Sequence, residues 1–92
     1  MRQYTLTVVC RAEDEIHIRA SLSNSMSSTP LSFQSLTSHD YNDDPQRIEV
    51  TATLKVHPKD QPKLEHIASR LSMEKGISSV SWSALEAEPT PE

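Results

Sequence analysis

The residues in this sequence best suited to chemistry are one cysteine, four histidines and a group of carboxylates between residues 39 and 44. Cys10 could be paired with a histidine as a nucleophile and its base. However, Cys10 alternates with Leu6 and Val8, and that pattern favours a small side chain in the core. A single cysteine also excludes an intramolecular disulfide, a thiolate zinc cluster and a C-x-x-C redox pair.

The carboxylate group is the best candidate for a metal site. Residues 39–44 (HDYNDD) offer three carboxylates and an imidazole within six positions, and hard cations prefer oxygen ligands. The spacing is not that of a calcium-binding loop, and Asn42, Asp43 and Asp44 before Pro45 are typical of a hairpin turn. We therefore expect a solvated turn and no metal ligands here.

No sequence motif in the chain indicates catalysis. The sequence contains no G-x-S-x-G, no H-E-x-x-H and no glycine-rich phosphate loop, and Gly76 is its only glycine. We therefore predict that the protein is not an enzyme, with no catalytic, cofactor-binding or metal-binding residues and no cofactor.

The remaining side chains of interest have simpler interpretations. Trp82 is expected to fill part of the core rather than anchor a partner. The histidines that stand alone on helices or loops are expected to be solvated: His17, His57 and His66. The lysines that alternate with acidic residues are also expected to be solvated: Lys55, Lys59 and Lys63.

Composition limits the classes of partner. The chain has 92 residues, 9 basic and 13 acidic, for a net charge of −4, so nucleic acid and anionic membrane surfaces are disfavoured. The longest apolar run, residues 6–10, is far too short to span a bilayer. The strand pattern begins at once, which suggests a domain excised from a longer chain. We expect one domain over residues 1–86 and a disordered tail over residues 87–92.

The first half of the chain predicts a strand, a helix and a second strand. Residues 3–10 alternate in a strand pattern. Acidic residues 13–15 suit a helix start, and Ile18, Leu22 and Met26 form one stripe, with Ile16 and Ala20 nearly opposite. Serines and Pro30 end this helix. The second strand starts near Leu31, and its alternation slips between Phe33 and Leu36, which a bulge would explain.

The second half predicts the same order of elements. Residues 48–56 alternate without a break, which is typical of a half-buried strand. Asp60 is the expected N-cap of a helix with Pro62 in its first turn, and Gly76 is the expected left-handed residue at its end, with Ile77 packing back on Met73. The last strand covers residues 77–85. The apolar stripe of this helix consists of Leu64, Ile67, Ala68 and Leu71.

The resulting order, βαββαβ, predicts an α+β ferredoxin-like fold. Right-handed crossovers place strands one and three in the middle of a four-stranded antiparallel sheet, with both helices on one face. The other face would be polar, with Thr5, Thr7, Thr51, Thr53, Lys55, Ser79 and Ser81.

Three stretches resemble a known family. Residues 4–10 (YTLTVVC), the first helix with Arg19 and Leu22, and residues 71–82 (LSMEKGISSVSW) are similar to the C-terminal domain of the MgtC (MgtC/SapB) proteins, in particular mycobacterial members. The resemblance covers residues 3–85. It implies an ACT-like regulatory domain on the cytoplasmic side of a bacterial inner-membrane protein that carries its own N-terminal membrane domain.

The resemblance also implies a function. Members of the family are virulence factors linked to survival inside macrophages and to growth under magnesium limitation. They are thought to regulate other membrane proteins rather than to transport magnesium. ACT modules that sense amino acids usually have a glycine where the first strand meets the first helix, whereas this chain has charged residues 11–15 there. Two classes stay open: a protein-interaction or regulatory module whose partners are other membrane proteins, which we favour, and a small-molecule or ion sensor.

Overall fold

The computed structural model describes residues 2–27 and 32–85. A short 3-10 turn precedes each helix, at Ala12–Asp14 and at Pro58–Asp60. Pro30, Leu31 and the predicted tail, residues 87–92, lie outside the described residues. The strands and helices are β1 (Arg2–Arg11), α1 (Glu15–Ser27), β2 (Ser32–Tyr41), β3 (Asp44–Val56), α2 (Gln61–Leu71) and β4 (Ile77–Leu85).

The four strands form one antiparallel sheet in the order β2-β3-β1-β4. This confirms the predicted α+β, ferredoxin-like architecture, with the first and third strands in the middle. The register pairs Val8 of β1 with Val50 on one side and with Val80 on the other. Residues that share a row across the sheet therefore share a face.

Both helices cover the same face of the sheet. Leu6 and Val8 are fully buried, whereas Thr5 and Thr7 between them are partly exposed on the open face. A single core lies between the sheet and the two helices. Its buried residues are Tyr4, Leu6, Val8, Cys10, Ile18, Leu22, Ile48, Val50, Ala52, Leu54, Val56, Leu64, Ile67, Ala68 and Leu71. The predicted core positions of β3 and α2 are confirmed.

The burial of its side chains shows which face of α1 packs on the sheet. Ile18 and Leu22 are completely buried, whereas Ile16 is 84% exposed, so the predicted stripe faces the sheet. The side chain of Met26, the third predicted member, lies outside the described part of the chain.

The start of α2 differs from the prediction. Asp60 occupies the N-cap position, but its carboxylate caps no backbone N–H; it lies 3.3 Å from the Lys63 ammonium. The 3-10 turn moves the capping contact upstream, where His57 Nδ1 accepts a hydrogen bond from the Lys59 N–H at 3.2 Å. The predicted N-cap position of Asp60 is therefore confirmed, as is Pro62 in the first turn, but the side-chain hydrogen bond expected of a cap is not made.

The end of α2 also differs. Gly76 has the expected positive φ of 92°, but the helix ends at Leu71 and is followed by further turns, in which Glu74 N–H donates to the Leu71 carbonyl. Met73 remains 83% exposed, so the predicted packing of Ile77 on Met73 was wrong. The extra turns separate the glycine from the helix end.

The hairpin and the bulge are as predicted. Asn42 and Asp43 have φ of 51° and 60°, the pair of left-handed residues that a two-residue hairpin turn requires. The β2–β3 register shifts between Phe33 and Ser35, which places the bulge inside the predicted interval. Within the described residues, no helix is long and apolar enough to cross a membrane.

Leu71→Ala should lower the free energy of unfolding by about 2–5 kcal/mol, because it leaves a cavity beneath α2 where Leu71 is now only 3% exposed. Urea denaturation measures this directly. Ser69→Ala, at an exposed position of the same helix, is the matched control and should change stability little. Equal midpoints for Leu71→Ala and the parent would show that this face of α2 is not in the core.

Candidate functional site

Cys10 is not placed as a nucleophile. Its side chain is completely buried on the helix side of β1, paired with Ile48 across the sheet. Burial, followed by the negative charges of Asp14 and Glu15, raises the pKa of the Cys10 thiol. A thiol must ionise to attack an electrophile, so Cys10 serves packing, as the sequence predicted.

The residues of the acidic segment 39–44 form the hairpin turn and contacts beside it. Asn42 and Asp43 form the turn itself, and the Asp44 carboxylate accepts a hydrogen bond from the Gln46 N–H at 2.9 Å. His39 points toward Glu49 across the strand pair, with 3.9 Å between Nε2 and Oε1. No group of three possible metal ligands exists within residues 2–27 and 32–85.

His17, His66 and Trp82 lie on three different elements, α1, α2 and β4. His17 Nε2 is 3.5 Å from the Glu74 carboxylate, and His66 is exposed on α2. Trp82 is partly buried against the core, with its ring centroid 5.8 Å from that of Tyr4. The predicted role of Trp82 in packing is confirmed. Lys55 and Lys59 are exposed, as expected of a solvated surface.

The most organised polar site lies where β1 meets α1. The Arg11 guanidinium donates to the Asp14 carboxylate at 2.9 Å and lies 3.2 Å from Glu13. The Arg11 backbone N–H donates to the carbonyl of Gly76 at 3.1 Å. The α2–β4 loop therefore closes directly onto this junction. We call Arg11, Glu13, Asp14 and Gly76 the junction site.

Gly76 is essential to the closeness of these two segments. A Cβ atom at residue 76 would lie 2.8 Å from Asp14 Cγ and 3.4 Å from Arg11 Nε. Its φ of 92° is also one that side chains disfavour. The sequence lacks glycine between β1 and α1, yet the fold brings its only glycine to that place, with the Asp14 carboxylate against it.

Sequence reasoning missed this contact, although a signal for it existed. In the predicted sheet, β4 runs antiparallel to β1, so the start of β4 must lie beside the end of β1. Gly76 immediately precedes β4, and Arg11 ends β1. Combining the predicted topology with the position of the glycine would have identified the junction site.

An open cleft of about 410 Å³ lies beside the junction site. Arg11 and Arg47 pair across β1 and β3, and the Arg47 guanidinium donates to the Ser78 hydroxyl at 3.1 Å. Because Arg47 and Ser78 belong to the strands flanking β1, the Arg47 side chain passes over β1, where Val9 is only 4% exposed. The cleft is lined by Arg11, Ala12, Glu13, Pro45, Gln46 and Arg47.

The junction site carries one cation and two carboxylates. Arg11 forms ion pairs with Glu13 at 3.2 Å and with Asp14 at 2.9 Å. Glu13 and Asp14 also lie in the first turn before α1, where negative charge interacts favourably with the helix dipole. The arrangement can hold a strand, a helix and a loop together without any ligand.

Comparisons with known proteins show which family this chain resembles. The family model described as the MGTC/SAPB C-terminal domain matches residues 4–82. An uncharacterised protein of Synechocystis is 34% identical over 86 residues, which is 92% of this chain. The chain spans only 37% of that relative's length.

Solved structures agree with the family match. The C-terminal domain of the MgtC protein from Mycobacterium tuberculosis is similar with a TM-score of 0.83 and 26% identity, covering 99% of this chain and 95% of that domain. The ACT domain of GTP pyrophosphokinase from Chlorobium tepidum is similar with a TM-score of 0.64 and 13% identity, covering 89% of this chain and 97% of that one. The second likeness shows an ACT-like fold and nothing more.

Gly76→Ala should destabilise the domain by at least about 1–2 kcal/mol, because alanine disfavours this positive φ and its methyl group would meet Asp14. Asp14→Ala removes the carboxylate that the new methyl group would meet. The double variant should therefore lose less free energy of unfolding than the sum of the losses of the two single variants. A double-mutant cycle by urea denaturation measures that coupling. Lys75→Ala, at the exposed neighbouring position, is the control. Strict additivity would contradict the contact between Asp14 and Gly76.

Proposed function

Because this chain belongs to the MgtC/SapB C-terminal domain family, we propose that it is the regulatory domain of an MgtC-type protein and acts through contacts with other proteins rather than by catalysis. The observation that carries this proposal is the junction site. ACT modules that sense amino acids usually have a glycine where the first strand meets the first helix, whereas here Arg11 and Asp14 pair with each other and the Asp14 carboxylate lies against Gly76. A junction held together by its own side chains supports a domain that acts through its surface.

The membrane location of the protein and the process in which it acts are part of the same proposal. The relative from Synechocystis is much longer than this chain, and the family resemblance implies an N-terminal membrane domain. We place the domain on the cytoplasmic side of the bacterial inner membrane, where it regulates other membrane proteins during growth inside macrophages and under magnesium limitation.

One observation favours the alternative, a sensor of small molecules. The cleft beside the junction site contains two arginine side chains, and Arg47 donates to a neutral hydroxyl rather than to a carboxylate. A carboxylate of a small ligand would find two cations there. Glu13 lines the same cleft and opposes such a ligand. Direct binding measurements distinguish the two functions.

Calorimetric titration with the standard amino acids should show no saturable heat, because Asp14 fills the space beside Gly76 and Glu13 repels an incoming carboxylate. The matched control is Arg47→Gln, which removes a cleft cation and should give the same flat titration. If the parent gave a saturable isotherm and Arg47→Gln or Arg11→Gln abolished it, the domain would be a small-molecule sensor rather than an interaction module.

In the intact membrane protein, deletion of this domain should remove specific cross-links to other membrane proteins in cells. The control is the same protein carrying Ser69→Ala, which leaves the domain folded and should keep the cross-links. An identical cross-linking pattern with and without the domain would contradict a role in protein contacts.

A further inference from the structure

Two arginine side chains stand directly opposite each other at one end of the sheet. Arg11, the last residue of β1, pairs with Arg47 of β3, so both side chains leave the same face of the sheet. Like charges placed directly opposite each other on antiparallel strands are destabilising. The chain as a whole has a net charge of −4, so this pair of cations is a local exception. An anion placed between the two guanidinium groups would relieve their repulsion.

The two arginines differ in how their charge is compensated. The Arg11 guanidinium lies 2.9 Å from the Asp14 carboxylate and 3.2 Å from that of Glu13. Among the residues that the structure describes, Arg47 forms no ion pair. Its guanidinium donates a hydrogen bond to the neutral hydroxyl of Ser78. Within the described part of the chain, Arg47 is therefore a cation without a counter-charge.

Glu13 is the replaceable partner of Arg11. Its side chain is 70% exposed, whereas that of Asp14 is 24% exposed and lies against Gly76. Exposed ion pairs contribute little stability, so the Glu13 carboxylate can turn into solvent at a small cost in free energy. The two arginines and the fixed Asp14 then carry one net positive charge. A single carboxylate from another molecule would balance that charge.

The cleft beside these groups suits a carboxylate carried on a side chain. Its volume is about 410 Å³, and Ala12 and Pro45 supply apolar surface next to the two arginines. The methylene groups of a glutamate side chain could lie on that surface while its carboxylate reaches the guanidinium groups. A free amino acid also carries an ammonium group, which two arginines repel, and it has no neighbouring residues to hold it against competition from Glu13.

We propose that this cleft binds an acidic segment of a partner protein, one of whose carboxylates replaces Glu13 on Arg11 and pairs with Arg47. We call it the arginine cleft, and its lining residues are Arg11, Ala12, Glu13, Pro45, Gln46 and Arg47. Glu13 is an intramolecular competitor, which excludes anions that make no further contacts. The inference rests on the proposed function, and it adds the surface that makes the contact and the chemistry of the partner.

Titration of the 92-residue chain with hexaglutamate, followed by NMR of the backbone N–H groups, tests the proposal. We expect saturable shifts in residues 11–13 and 46–47 that weaken with added salt. Arg47→Gln should weaken binding about three- to fivefold, and Glu13→Gln, which removes the competing charge, should strengthen it about two- to fivefold. Arg70→Gln is the matched control, because it removes the same charge from an exposed position of α2, and it should leave the affinity unchanged. The same spectra show whether each variant is folded.

Several results would overturn the proposal. The parent might give no saturable shifts with hexaglutamate, Arg47→Gln could weaken binding no more than Arg70→Gln does, or Glu13→Gln could leave the affinity unchanged or lower. Equal affinity for free glutamate and for hexaglutamate would also overturn it, because the cleft would then be a small-molecule site. If hexaglutamate does not bind while deletion of the domain still removes cross-links in cells, the arginine cleft fails and the proposed function stands. If hexaglutamate binds as expected while the cross-links survive the deletion, the proposed function fails.

Discussion

The pairing of β1 with β3 on one side and β4 on the other organises the whole domain. β1 provides Leu6, Val8 and Cys10 to the core, and each is completely buried between the sheet and the helices. Its two registers also fix what lies at its end. Because β4 runs antiparallel to β1, the loop that precedes β4 must arrive where β1 turns into α1. The junction site is therefore a consequence of strand pairing and needs no separate folding signal.

The acidic triplet after β1 serves structure at three levels. Glu13 and Asp14 neutralise Arg11, the same two carboxylates precede the N-terminus of α1, and Asp14 fills the space beside Gly76. The ion pairs are partly exposed, and exposed pairs contribute little stability individually. Steric fit is the stronger constraint, because a side chain at residue 76 would overlap the Asp14 carboxylate. The fit of Asp14 against Gly76 therefore holds the site together by shape, and Arg11 is paired with two carboxylates.

The strands were predictable because alternation is a local signal. Ile48 to Val56 alternate in the sequence as they alternate in the sheet. The end contacts of the helices were not predictable in the same way. Asp60 lies at the predicted N-cap position, but the side-chain capping hydrogen bond is made at the start of the preceding 3-10 turn, by His57. The contact of Asp14 with Gly76 joins residues far apart in sequence, so it follows only from the sheet topology. α1 was harder to orient than α2 because Ile16 and Ala20 lie nearly opposite its apolar stripe in the sequence.

The junction site lies at the start of β4. Gly76 precedes β4 directly, and the register shift at the start of β4 separates the junction site from the regular pairing that begins at Ser79. The Arg47 guanidinium bonds Ser78 within that irregular segment. The junction site and the Arg47 contact therefore both hold the start of β4. The strand is fixed at this end by contacts with β1, β3 and the segment before α1, so the position of its start follows from several elements at once.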